Sequence, residues 1–236
     1  MSDPERTRLI ILLGTLAGAV ILTGQAFSWR LLRHVVTIAH EGGHALAALA
    51  SGRTLSGVRL HSDTSGVTVS SGRRSGPGMI LTAAAGYPAP CLIGAGFAVL
   101  IAADRITVML WATIVLLAVL LTQIRNAFGL LSVAGTAALI LLVIFRGSPH
   151  LQLGFACALT WLLLVGGGRA VLELQHTRRT QVRAGGGSYL TSDADQLARL
   201  THLPGLVWVG VFLVVAAATL GGSGWMLLRE TTHLLD

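Results

Sequence analysis

Apolar residues run along this chain in blocks of near twenty, with the polar residues gathered between blocks rather than alternating within them. That block length is the ~20 residues a helix needs to span the hydrocarbon core of a bilayer. Seven such blocks are legible: Leu9–Phe27, Leu31–Ala50, Met79–Ala103, Ile106–Ile124, Ala127–Phe145, Leu151–Val165 and Leu206–Leu228. The sixth extends through a run of glycines to Leu172. The first exceeds the apolar core of a secretory signal and has no clear small-residue cleavage site after it, so it reads as a helix. Its Gly14 and Gly18 have the GxxxG spacing that permits close helix approach.

Two polar stretches interrupt the pattern. In residues 51–78, Val58 and Leu60 alternate with polar neighbours, as do Val67 and Val69, and Ser62-Asp63-Thr64-Ser65-Gly66 between them is rich in turn formers. This predicts a β-hairpin. Residues 173–204 are polar and Arg-rich, carry Gly185-Gly186-Gly187 as a flexible joint, and end in "SDADQLARLTHLP", a short helical pattern leading into the last block. The expected architecture is all-α and polytopic, with about seven transmembrane helices, a small hairpin after the second, and one membrane-embedded domain over residues 1–236.

Composition agrees. The chain is 53% hydrophobic and 11% charged, whereas soluble domains carry about 25% charged residues. Its net charge of +7 comes from 17 basic residues, all arginine. With seven spans, twelve arginines (6, 8, 53, 59, 73, 74, 125, 169, 178, 179, 183 and 199) lie on the N-terminal side and five (30, 33, 105, 146 and 229) on the other. The positive-inside rule then predicts a cytoplasmic N-terminus and an outside C-terminus in the plasma membrane. The basic excess reads as a topology signal and a contact with anionic lipid, with no nucleic-acid partner. Cys91 and Cys157 fall inside apolar blocks and form no metal-type spacing.

Against this background "TIAHEGGHALAALASG" (37–52) stands out. His40 and His44, four apart on a helix, share a face and can bind one metal ion. Glu41 beside them can serve as general base, giving the HExxH pattern of zinc peptidases. Glu41 is the only one of ten carboxylates inside a predicted span, where an ionised side chain costs about 2.5 kcal/mol or more. Gly42 and Gly43 make room for a neighbouring helix or a substrate. A catalytic zinc takes three protein ligands. Of the remaining candidates, His34 faces elsewhere and Asp104 lies on the opposite side. His61, Asp63, Glu173, His176, Asp193, Asp195 and His202 lie on the side that His44 faces. Asp193 and Asp195 precede the last block. Ser192 and Asp195 fit a capping box, which leaves Asp193 as the preferred third ligand and Asp195 as the alternative.

These residues resemble the site-2 protease family of intramembrane zinc metalloproteases, in its small bacterial branch without a PDZ domain. The match rests on "HEGGH" (40–44), the hairpin after it, "AAGYPAP" (84–90), similar to the family's Ala-Gly-Pro segment with Tyr87 inserted before Pro88, and "SDADQL". Asp193-Ala194 stands where the family has an Asp-Gly motif, and Asn126 resembles its polar residue near the scissile carbonyl. The resemblance implies a Zn2+ endopeptidase that cleaves in or near transmembrane segments of membrane-protein substrates, in regulated proteolysis. A helical substrate must unwind to expose its carbonyl, and the hairpin can hold the unwound strand. The alternatives are an inactive, protease-like membrane scaffold or another metal-binding membrane protein, a metal transporter, and a peptidase acting on soluble substrates.

Overall fold

The computed structural model describes residues 3–183 and 192–232; the triple glycine at 185–187 lies outside them. In chain order the elements are α1 (Asp3–Gly24), α2 (Ala26–Ala50), β1 (Thr54–Leu60), β2 (Gly66–Ser71), α3 (Pro77–Ala85), α4 (Pro88–Ala102), α5 (Ile106–Gln123), α6 (Ala127–Arg146), α7 (Pro149–Arg183), α8 (Asp193–Thr201) and α9 (Gly205–Thr232). Helices α1, α5, α6, α7 and α9 are each long and apolar enough to cross a membrane. Helices α3 and α4, bent by 68° at their junction, pass the same test as a pair and count as a sixth span if taken as one. The protein is an all-α, multi-pass membrane protein with a small hairpin after the second helix.

The predicted block Met79–Ala103 is thus two helices. Pro88 lacks an N–H and its ring excludes the carbonyl four residues back, so the helix stops before it and restarts with Pro88 in the first turn of α4. The predicted block Leu151–Val165 is the N-terminal half of the 35-residue α7.

The second block differs from the others in polarity. Helix α2 has 25 residues, enough length for a span, yet Arg30, Arg33, His34, His40, Glu41 and His44 leave it too polar to count as one. It packs on α7 at Gly166, where a Cβ would lie 2.9 Å from Val36 and 3.2 Å from Trp29. Trp29 also donates to Glu173 on the C-terminal half of α7 (2.7 Å). The other end of α2 meets the hairpin and α3, and His44 there reaches Asp193 of α8.

The described helices thus offer five spans, or six with the bent α3–α4 pair taken as one. Helix α1 runs with α7, Ile11 lying by Gly154 and Leu16 sharing an apolar cleft with Trp161. Helices α4 and α9 run against it: Gly94 abuts Leu164 and Cys91 abuts Gly167, while α9 passes Arg178 at Gly205 and Gly168 at Ala216. The last turns of α9 return to the level of Leu12, where Leu227 joins the core of α1, α4 and α7. The start of α1 and the last turns of α9 thus lie near the same end of α7.

The hairpin docks at the other face. Strand β1 pairs antiparallel with β2, Val58 opposite Thr68 and Leu60 opposite Gly66. Val58 and Leu60 are buried against Leu117, Leu120 and Ile124. The second edge of β1 is closed by the α5–α6 junction: Arg125 N–H donates to Val58 O (2.9 Å), and Asn126 Nδ2 donates to Leu60 O (2.6 Å). The free edge of β2 has no strand beside it among the described residues. Its alternation is inverted relative to a soluble sheet: Val67 and Val69 are exposed, while Gly66 and Thr68 face α2.

Candidate metal centre

Helical spacing puts His40 and His44 on one face of α2, and the start of α8 meets that face. His44 Nε2 lies 3.1 Å from His40 Nε2 and 3.1 Å from Asp193 Oδ2, and His40 Nε2 lies 3.3 Å from the same oxygen. Ligand atoms around a tetrahedral zinc with bonds of about 2.0–2.1 Å are about 3.3–3.4 Å apart. The triangle fits that edge, and these three residues form a group that can hold a metal ion.

The surroundings prepare each ligand. His44 Nδ1 is 2.7 Å from Thr82 O; a carbonyl only accepts, so Nδ1 carries the proton and Nε2 offers its lone pair to the centre. His40 is held between rings, edge-on to His44 and to Tyr87, both with centroids 4.7 Å apart. Tyr87 in turn stacks on buried Phe212 of α9. Burial pushes the Asp193 carboxyl up, but its hydrogen bonds with His40 and His44 outweigh this and hold it well below the usual carboxylate range.

Glu41 points to the hairpin side and is 4% exposed. Thr68 Oγ1 donates to its Oε2 (2.6 Å) and also approaches Glu41 O (3.2 Å). A Cβ on Gly66 would sit 2.6 Å from Oε1, so only glycine lets β2 close over this carboxylate. Thr37 Oγ1 fastens α2 to the hairpin turn by donating to Thr64 O (2.9 Å).

Three glycines divide cleanly. A Cβ on Gly86 would run into His44 Nε2 and both imidazole edges, so the α3–α4 bend approaches the ligand atoms as bare backbone. A Cβ on Gly43 would strike Ala89, which makes this glycine the packing contact of α2 with α4. Gly42, read as its partner in making room, meets nothing within 4 Å.

The other sequence candidates lie elsewhere. Asp195 is paired with Arg178 (2.6 Å) and capped by Ser192. Asn126 spends its amide on Leu60. His34 packs on Phe128, Asp104 pairs with Arg8, and His61 and Asp63 hydrogen-bond Ser65. Glu173 binds Trp29 and Arg169. Sequence reasoning passed over Thr68, Thr82 and Gly66. It quoted Gly86 without a role, although a glycine directly before Tyr-Pro marks a backbone that must approach something closely.

No curated protein and no solved structure matches the chain. The family model described as Peptidase M50B-like matches residues 12–223, nearly the whole helical core with both halves of the centre. The chain belongs to that family, the site-2 protease family of membrane metallopeptidases.

Proposed function

We propose that the protein is an intramembrane zinc endopeptidase that hydrolyses peptide bonds in or near transmembrane segments of membrane-protein substrates, in regulated proteolysis. One observation carries the reading: His40, His44 and Asp193 converge on a single point with buried Glu41 beside it, on a helix packed among membrane spans. His40, His44 and Asp193 are the ligands in this reading. Zinc, when bound there, supplies Lewis-acid polarisation of a carbonyl oxygen and of water.

The chain's own groups do the rest. Glu41 takes the proton of the attacking water and delivers it to the leaving amine, and Thr68, by donating to Oε2, fixes the carboxylate plane. Thr82 fixes the tautomer of His44. An unwound substrate segment adds to the free edge of β2, alongside exposed Val67 and Val69. Gly66 and Thr68 of that strand adjoin Glu41, which sets the added strand close to the base.

Orientation follows from the arginines. With six crossings, Arg30 and Arg33 join the hairpin's face while Arg6 and Arg8 leave it, so that face again holds twelve arginines against five. In the plasma membrane the centre then opens toward the cytoplasm, and the ends of α1 and α9 point outward.

The test is cleavage of a co-expressed single-span substrate by the wild type and by His40→Ala, with zinc measured on each purified protein. Cleavage that survives loss of the metal would overturn the reading.

A further inference from the structure

Asp193 reaches the imidazoles from α8, a helix of nine residues, so something must hold its first turn in place. Arg178, near the C-terminal end of α7, does so from outside the centre. Its Nε and Nη2 donate to Asp195 Oδ1 at 2.9 and 2.6 Å. The two side chains are only 14% and 7% exposed. Ser192 Oγ holds the other carboxylate oxygen and accepts from Asp195 N–H. Gly205 makes the room: a Cβ there would run into the guanidinium and lie 3.2 Å from Ala194 O. Three elements thus close on Asp195, two residues from Asp193 on the same turn.

We infer that Arg178 is a positioning residue for the metal: by pinning Asp195 it turns Asp193 Oδ2 toward His40 and His44. With Arg178 on Oδ1 and Ser192 on Oδ2, both carboxylate oxygens of Asp195 are held, which restrains the turn in rotation as well as distance. Asp193 lies at the first residue of its helix, where fraying begins, so the restraint sits where the ligand needs it. This inference rests on the metallopeptidase reading.

A double-mutant cycle read on metal affinity tests it, in detergent-purified full-length protein, with zinc competed against a chromophoric chelator. R178Q should weaken zinc binding by about 10- to 100-fold, the range for losing an outer partner of a ligand. The visible absorption of cobalt-loaded protein should change with it. D195N should have a similar effect, and R178Q added to D195N should cost nothing more, because both act through one contact. R178K, one flexible donor in place of the fork, should fall between. Thermal unfolding of the metal-free variants separates misplacement of Asp193 from loss of fold. If R178Q does not fold, R178K and D195N make the same comparison. Wild-type affinity and cobalt spectrum in these variants, or effects that simply multiply, would overturn the inference while the metallopeptidase reading stands. A wild type that binds neither zinc nor cobalt would bring both down.

Discussion

Gly86→Ala puts one methyl group at the most crowded point of the centre. Its Cβ would stand 2.6 Å from His44 Cε1 and 2.7 Å from His40 Cε1, where carbon atoms settle at about 3.5–4.0 Å. Both rings must retreat by about 1 Å, and metal bonds tolerate about 0.2 Å. Disturbing one outer partner of a ligand costs about 10- to 100-fold in affinity. With two ligands displaced together, zinc should bind at least about a hundredfold more weakly. Overpacking should also cost about 1–3 kcal/mol of stability. The control is Gly42→Ala, between the two histidine ligands on α2, where the new methyl meets nothing within 4 Å. It should bind zinc like the wild type and gain up to about 1 kcal/mol from helix propensity. The assay is chelator competition on purified protein, with thermal unfolding alongside. Equal zinc affinity in Gly86→Ala and wild type would refute the argument that bare backbone shapes the ligand triangle.

The remaining predictions are briefer. His44→Ala should lose most bound zinc, and Asp193→Ala should weaken binding strongly, both read by metal analysis after dialysis. Asp195→Ala leaves Arg178 buried without its partner, so it should destabilise the protein by about 3–5 kcal/mol, well beyond a lost helix cap, as measured by thermal unfolding. Thr68→Val removes the donor to Glu41 Oε2; zinc should stay, and the cleavage rate should drop about tenfold, the scale of losing a hydrogen bond to a charged group. Reporter fusions at the start of α1 and the end of α9 should report the same side, and one in the β1–β2 turn the opposite side. Unlike reports from the two ends would restore the seven-span topology.

Much of this was legible in the sequence, for identifiable reasons. The four-residue spacing of His40 and His44 dictates a shared face on any helix. The capping pattern around Ser192 already distinguished the two aspartates, and in the structure Ser192 caps Asp195 while Asp193 lies at the imidazoles. Block length, by contrast, reports whether a helix can reach across a bilayer and not whether it does, so α2 was counted as a span despite its polar motif. Leaving α2 out of the count reverses the side of every later element, through to the end of α9, relative to the start of α1. The alternation of Val67 and Val69 predicted a strand, but in a membrane protein apolar side chains can face outward, and the face nearer Glu41 is the polar one. Arg178 and Asp195 are 17 residues apart in sequence, and no spacing rule links them. The role of Gly86 is invisible without His44 beside it.

The central claim is that Glu41 is the base of a metal centre made by His40, His44 and Asp193. Glu41→Gln keeps the shape and hydrogen bonding of the side chain but cannot accept a proton. The most direct measurement pairs cleavage of a single-span substrate with zinc content for this variant and the wild type. The account predicts unchanged zinc and a cleavage rate lower by about a hundredfold or more. Cleavage by Glu41→Gln at the wild-type rate would contradict it.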